Sequence, residues 1–560
     1  MRRWLFSGLV ALVAAGLLGL AWAVLAPGGW SVWEALLFVC LAANAPWLGL
    51  SAATGLIGLG IRLFATDPSA AVVPGMRRQG GGTASHIASR TAVAICVRDE
   101  DMDAVVPPLE DLLRDLAATG HADRFAVAIL SDTPAGPAAD EEADAAAAFA
   151  ARHPPGAVRY RRREANTGYK AGNVMDFLDR HAEGFDLLLL LDADSRMTAE
   201  AVLRLVRIME AEPGCALVQP TIAGDEAESA FQDVFGFGHR HGARIWATGQ
   251  AWWQDRQGPF WGHNALIRIA PFREHCRLPT LPDGSAILSH DHVEAARLHA
   301  AGWAVRVVPE DGGSLDTHPP HLIAFLDRDL RWAAGNWQYR LLLRSRDLGR
   351  LGRFQMLQAL LHYALAPLWL AMLPLAALNA ASGGAEGTPR GLLLALLLAC
   401  YVSLHMPKLA GYAEALLRPA TAGVAQVARL ELLCRMGREL FFTFLFEPIA
   451  AVDKTVTILS LATGRRSGWA PQERRTRRVG APEAVRRFWP HILAGAALLG
   501  LGFAGSPFAG LLLLPAVLGL FLVVPFCVLT SKPHRAAATE TVRSFGSDHA
   551  LVSREKRLVS

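Results

Sequence analysis

Apolar residues crowd into the two ends of the chain, while the middle alternates short apolar runs with polar, helix-patterned stretches. Residues 4 to 25 are almost uninterrupted apolar sequence behind Arg2 and Arg3. At about 1.5 Å per helical residue they are long enough to cross a hydrocarbon layer roughly 30 Å thick. Ala21-Trp22-Ala23 mimics a small-x-small cleavage site, so a signal peptide is the alternative reading. A second apolar stretch, about Trp33 to Leu63, follows Pro27-Gly28-Gly29 and returns the chain to the cytoplasm whether the first is retained or cleaved. From about Gln355 the sequence is apolar again, with candidate spans near 356–378, 391–413, 488–505 and 508–530. Leu440 to Ala462 is also apolar, but it holds Glu447-Pro448 and Asp453-Lys454, which are costly against lipid. A single crossing there would put the arginine-rich segment 465–487 outside. The stretch is therefore expected to lie in the interface, to re-enter, or to pair with part of 424–439 as a hairpin. Six spans follow, with eight as the alternative.

Between these ends the periodicity changes. Residues 66–90, rich in Pro, Gly, Ser and Ala and carrying Arg77 and Arg78, read as a cytoplasmic linker. Thr91–Val97 is a β-branched apolar run, Leu109–Ala118 is helix-like, and Phe125–Leu130 is a second short strand ending at Ser131-Asp132. Ala138–Arg152 reads as a helix, Val158–Arg161 as a strand and Met175–His181 as a helix. Next come five consecutive leucines, Leu187 to Leu191, too short to span a bilayer and best read as a fully buried strand. Strands alternating with helices predict an α/β domain with a mainly parallel sheet covered on both faces. The expected organisation is two membrane helices in 1–65, the linker 66–90 and the α/β domain 91–345. Membrane and interfacial helices then occupy 346–531, with a basic cytoplasmic loop at 463–487, and a cytoplasmic tail covers 532–560.

Composition agrees with a polytopic membrane protein: 52% of the 560 residues are hydrophobic and the mean hydropathy is +0.25. The 7 cysteines are scattered without a CxxC or Cys/His cluster, so neither a zinc site nor a disulfide framework is expected. A net charge of +4 is too weak to argue for nucleic acid, and the basic residues cluster beside apolar segments, where topology explains them.

The leucine strand runs into Asp192-Ala193-Asp194. Alternate residues of an extended segment point the same way, so the two carboxylates can share a hard divalent cation, Mg²⁺ or Mn²⁺. In isolation the same motif serves as a solvated turn, and the surrounding motifs decide. Asp132 stands at another strand end, where a carboxylate can accept hydrogen bonds from a uracil or ribose. Asn166-Thr167-Gly168-Tyr169-Lys170-Ala171-Gly172-Asn173 supplies glycines for close approach and a lysine for phosphate charge. Further on, Trp261, Gly262, His263 and Asn264 form an aromatic and glycine segment suited to a sugar ring. Ser289-His290-Asp291-His292 opens a helix over Val293–Gly302, on which Asp291 is either a cap or a general base. Arg328, Arg331 and Trp332 lie just before the membrane, where Trp332 and Trp337 are a sugar platform or membrane-boundary anchors.

These motifs in this order resemble the processive membrane-embedded family 2 glycosyltransferases, and within them most closely the glucans biosynthesis glucosyltransferase H family. The resemblance covers about 91–345 in motifs and the flanking spans in layout. It implies a GT-A catalytic fold, UDP-glucose as donor, Mg²⁺ or Mn²⁺, inversion at the anomeric carbon, and a growing β-1,2-linked glucan passed across the bacterial inner membrane. A periplasmic glucan-processing protein is an implied partner. By motif, Asp132 looks like the uridine-binding aspartate, Lys170 like the diphosphate lysine, Asp192 and Asp194 like the metal pair, and Asp291 like the general base. Arg331 and Trp332 look like donor-side residues, whereas Trp261, Gly262, His263, Asn264 and Arg328 look like the acceptor side. The chain departs from the cellulose-type pattern at Arg328, where those synthases carry glutamine, and at His290, where they carry glutamate. Both changes fall on the acceptor side. The loop bearing Trp469, Gln472, Arg474 and Arg475 looks like the segment that closes over the donor site, although topology alone explains its arginines. Another β-glucan or a glycolipid as product, or a non-catalytic transporter or sensor, are the competing readings.

Overall fold

A computed structural model describes residues 1–77, 87–345, 347–417, 425–465, 473 and 475–533. Two long helices open the chain, α1 (Arg2–Leu25) and α2 (Val32–Phe64), the second started by a capping box in which Ser31 and Glu34 satisfy each other's backbone N–H. Two short helices follow, α3 (Pro68–Val72) and α4 (Pro74–Arg77). The α/β part then runs β1 (Thr91–Val97), α5 (Met102–Ala118), β2 (Phe125–Ser131), α6 (Pro137–Ala151), β3 (Val158–Arg162), α7 (Tyr169–Arg180) and β4 (Leu187–Asp192). It continues with β5 (Arg196–Met197), α8 (Ala199–Ala211), β6 (Cys215–Pro220), β7 (Ala223–Gly224), α9 (Ala230–Gln254) and β8 (Ala265–Arg268). Helices α10 (Ile269–His275) and α11 (Asp291–Ala300), strands β9 (Ala304–Val308) and β10 (Ser314–Asp316), and helix α12 (Leu322–Leu342) complete it.

The seven-stranded sheet has the order β3-β2-β1-β4-β8-β6-β9. It is parallel throughout except for β8, which runs antiparallel to both β4 and β6. Helices cover both faces, and this explains the unbroken leucine run. Leu187, Leu189 and Leu191 pack on the side of α5 and α8, while Leu188 and Leu190 pack on the side of α7 and α10. In the parallel register Asp192 stands beside Cys96, and Asp132 leaves β2 with its N–H on the Val97 carbonyl. The carboxylates therefore reach the same C-terminal edge, the usual ligand edge of an open α/β sheet. A second sheet, β5-β10-β7, is too short to show in the sequence pattern and brings Asp316 to that edge.

Among the described residues, six helices are long and apolar enough to cross a membrane: Arg2–Leu25, Val32–Phe64, Arg350–Ala381, Arg390–Leu417, Ala481–Gly505 and Pro507–Thr530. The third is a tandem of α13 (Arg350–Ala364) and α14 (Ala366–Ala381), and the others after it are α15 (Arg390–Leu417), α17 (Ala481–Gly505) and α18 (Pro507–Thr530). Between α15 and α17 lies α16 (Ala425–Ala462), one continuous helix, so the hairpin option for 424–462 is overturned. Two of its acids are paired with cations of neighbouring helices, Glu439 with Lys408 at 2.7 Å and Asp453 with Arg487 at 3.0 Å, while Glu447 stands 3.1 Å from His405. That pairing lets one helix hold acids inside an apolar run. Helix α9 joins the two halves. It lies on α2, where a Cβ on Gly249 would stand 2.1 Å from the Thr54 carbonyl oxygen and one on Gly58 2.2 Å from that of Ile245, so glycine permits the approach. The free cysteines agree with the absence of a disulfide framework among the described residues.

Candidate active site

At the end of β4 the chain turns tightly, with the Asp192 N–H donating to Ser195 Oγ at 3.1 Å and the Ser195 N–H to the Asp192 carbonyl at 3.0 Å. The turn exposes Asp192 and Asp194 at the sheet edge. Lys170, in the first turn of α7, pairs with Asp192 and donates to the Gly262 carbonyl at 2.7 Å. Burial pulls the Lys170 ammonium down, but the Asp192 carboxylate, with Cys96 and Asp291, more than offsets this and leaves it raised. Lys170 is thus a firmly charged group joining the acidic motif to the aromatic segment.

Asp132 is held by a residue that sequence reasoning missed. Arg163 grips it bidentately, Nε on Oδ1 at 2.7 Å and Nη2 on Oδ2 at 2.8 Å. The same guanidinium donates to the carbonyls of Thr167 at 3.0 Å and Tyr169 at 3.1 Å and to Asn166 Oδ1 at 3.3 Å. A Cβ on Gly172 would stand 2.0 Å from the Thr167 oxygen, so glycine lets this loop fold over the start of α7. Arg163 is one of three consecutive arginines, and nothing local in the sequence singles it out.

The aromatic segment crosses the crevice. Gln219 receives the Trp261 N–H at 3.1 Å and donates to the Pro259 carbonyl at 2.7 Å, fixing the backbone. Gly262, at φ +87°, lies over Asp291, because a Cβ there would stand 3.7 Å from the aspartate Cβ. His263 Nδ1 stands 3.2 Å from Ser195 Oγ, and its Nε2 stands 3.8 Å from Asp316. Asn264 is fully buried and donates to Ser314 Oγ at 3.0 Å and the Leu315 carbonyl at 3.1 Å, so it anchors the segment to β10. Asp316 is a third carboxylate beside the acidic pair. Burial pushes it up, His263 and Arg328 pull it down, and Asp194 and Asp192 push it up, to about 7 overall. Asp192 and Asp194 are hard oxygen ligands of the kind a divalent cation takes, and Lys170 is paired with the first of them. Among the described residues, however, no group of three His, Cys, Asp or Glu side chains stands close enough to hold one by itself.

Asp291 is the first residue of α11, half-exposed toward the crevice. Its neighbours are fixed: His292 Nδ1 is 3.0 Å from Tyr339 OH, which donates to the Ser289 carbonyl at 3.0 Å, and His290 Nδ1 is 2.9 Å from Glu294. On α12 the Arg328 guanidinium lies over the Trp332 ring at 4.6 Å and the Phe325 ring at 5.4 Å, with Arg331 one turn on. Trp332 is 45% exposed, so a ring face remains for a ligand. Trp337 instead packs with Ala333, Tyr363 and Ile458 and lies under Arg340, so the two tryptophans do not form one platform. Trp469, Gln472 and Arg474 lie outside the described residues. Arg475 is almost fully exposed, 3.9 Å from Asp101 in the loop after β1.

Residues 93–276 match the model for glycosyl transferase family 2, and residues 187–411 match that for glycosyl transferase family group 2. A glucans biosynthesis glucosyltransferase H from Bradyrhizobium diazoefficiens is 31% identical over 100% of this chain and 76% of its own length. One from Rhodopseudomonas palustris is 32% identical over 92% of this chain and 74% of its own. A third, from Xanthomonas campestris pv. campestris, is 30% identical over 91% of this chain and 81% of its own. Among solved structures, the mannosyltransferase PcManGT from Pyrobaculum calidifontis, in complex with GDP-Man and Mn²⁺, aligns with 65% of this chain at 14% identity and a TM-score of 0.41.

Proposed function

Since the chain belongs to the glucans biosynthesis glucosyltransferase H family, we propose that it polymerises glucose from UDP-glucose into the β-1,2-linked backbone of periplasmic glucans and passes the product across the membrane. The α/β domain, 91–345 in this reading, works on the cytoplasmic side of the inner membrane. The observation that carries the proposal is Lys170, which ties the acidic motif to Gly262, itself packed over Asp291. A phosphate cation, a pair of metal-type carboxylates and a candidate base thereby line one crevice.

In this mechanism the Asp291 carboxylate accepts the proton of an acceptor hydroxyl as its oxygen forms the new bond to the anomeric carbon. The bond from that carbon to the diphosphate breaks, and UDP leaves from the opposite face, which inverts the configuration. Asp192 and Asp194 would hold the divalent cation, whose chemistry is to neutralise charge on the leaving diphosphate. Lys170 shares that work, and its present partner Asp192 marks where the donor's negative charge must be accommodated. Asp132 and Arg163 frame the nucleobase end, Arg331 and Trp332 the sugar-diphosphate end of the donor, and Arg328 the acceptor. The loop with Trp469, Gln472, Arg474 and Arg475 closes over the donor, a reading supported by Arg475 lying beside Asp101.

Expression in a strain lacking its own periplasmic glucans tests the proposal. Restored glucan with 2-linked glucosyl residues supports it. A well-inserted protein that restores none, or that yields a differently linked polymer or a glycolipid, overturns it.

A further inference from the structure

At the seam between the membrane helices and the catalytic domain is a cavity of about 200 Å³ lined by Arg3, Asp255, Arg256, Gln257, His299 and Trp303, with Gly302. Its lining includes the first turn of one candidate membrane helix and is hydrogen-bonded to the start of another. Arg3 begins the first membrane helix, Phe6 of that helix stacks on Trp253 at 4.3 Å, and Gln355 at the start of the third span donates to the Gln257 carbonyl at 2.8 Å. The half-buried Trp303 lines it, Trp4, 83% exposed, follows Arg3 in the chain, and the half-buried Trp252 lies under Arg2, the aromatic dress of a headgroup boundary.

Its charge is unbalanced. Arg3 donates only to Gln257 Oε1 at 2.6 Å and to the Gln254 carbonyl at 3.4 Å. Arg256 reaches only the Gly302 carbonyl, at 3.4 Å, and Arg2 lies over the Trp252 ring at 5.8 Å. Among the described residues none of the three guanidiniums has a carboxylate partner, and the one carboxylate in the lining, Asp255, is spent on Arg306 at 2.7 Å. Asp255 itself sits at φ +55° and ψ −107°, a backbone region costly to a residue with a Cβ. The sharp exit it makes from α9 carries Arg256 and Gln257 to the cavity beside Arg3.

We propose that this cavity binds the phosphodiester headgroup of an anionic phospholipid in the leaflet facing the catalytic domain, clamped between Arg3 and Arg256. Guanidiniums at a membrane surface recognise phosphate bidentately and gain further from the leaflet's negative potential. The lipid would bridge the first membrane helix to the loop after α9, and through Gln257 to the third span. This holds whatever the sugar product is; it rests on the proposed reading only in taking the chain to sit in a bilayer.

The test uses the full chain reconstituted in phosphatidylcholine vesicles with and without phosphatidylglycerol, then extracted gently for native mass spectrometry. Wild type should retain a phosphatidylglycerol molecule that the R3Q/R256Q variant loses, with retention several-fold lower, while R256K keeps part of it. Equal retention in wild type and a double variant that elutes as a folded protein overturns the proposal. So does displacement of the lipid by millimolar inorganic phosphate, which would assign the site to a free anion. Because the readout is lipid retention, failure of glucosyl transfer leaves it untouched.

Discussion

The two banks of the crevice are built differently. On the proposed donor bank two acids are already matched with cations: Asp132 with Arg163, and Asp192 with Lys170. On the proposed acceptor bank the functional groups are held by their neighbours and leave a face open, as in Asp291 at the head of α11 and Arg328 lying over the Trp332 ring. A closed, charge-compensated bank suits a donor of constant structure, whose diphosphate must enter by exchanging ion partners. An open bank suits an acceptor that lengthens at every turnover. The contrast implies that donor-bank substitutions damage binding and charge balance, whereas the acceptor-bank base damages only the rate.

The largest expected effect is on the donor bank. Asp194→Asn should abolish transfer with the protein still inserted, since half of the proposed metal-holding pair is lost; near-normal turnover at saturating Mg²⁺ or Mn²⁺ would remove Asp194 from that role. Across the crevice, Asp291→Asn should lower kcat by roughly 10²- to 10⁴-fold, the scale of a lost general base. UDP-glucose affinity measured by calorimetry should stay near wild type. If affinity fell as far as the rate, the two banks would not be separable. Arg163→Lys keeps the charge but loses the fork that binds Asp132 and three loop acceptors. Donor affinity should weaken roughly tenfold, as for loss of a charge-assisted hydrogen bond, with kcat at saturation little changed.

A smaller effect is expected at the basic loop. Arg474→Lys together with Arg475→Lys preserves topological charge but not bidentate phosphate recognition. Transfer reduced several-fold with weaker inhibition by UDP supports closure over the donor, and unchanged values of both leave the loop as a topology signal. The smallest effect is a pH dependence of stability on the acceptor bank. Burial pulls the His290 imidazole down, but Glu294, with Asp291 beyond it, raises it overall above its ordinary 6.5. A raised folded value means that the stabilisation is complete below the ordinary value and is lost as pH rises through the raised one. The wild-type midpoint of thermal unfolding should therefore fall over that range, and His290→Asn should flatten the slope.

Much of the donor bank could be read from the sequence. The strands β2 and β4 are buried apolar runs that lead into carboxylates, Asp132 and Asp192, and a parallel sheet sends such ends to one edge. What escaped was nonlocal. Strand β8 inserts antiparallel beside β4 because of pairing partners far along the chain, and β10, only Ser314–Asp316, is too short for any periodicity, so Asp316 was missed. Arg163 matters through the fold of the loop that follows it. The segment of helix α16 reads as interfacial, re-entrant or a hairpin because its charges are costly against lipid and a single crossing would put the basic loop outside; the groups facing its acids lie on α15 and α17.

The central claim is that this crevice moves glucose from UDP-glucose onto a growing glucan, and the product tests it most directly. Vesicles bearing the purified chain, supplied with radiolabelled UDP-glucose and Mg²⁺, should accumulate labelled polymer that methylation analysis resolves into 2-linked glucosyl residues, formed roughly 10²- to 10⁴-fold more slowly by Asp291→Asn. Folded protein that forms no polymer from UDP-glucose, or an Asp291→Asn variant that polymerises as fast as wild type, would contradict the account.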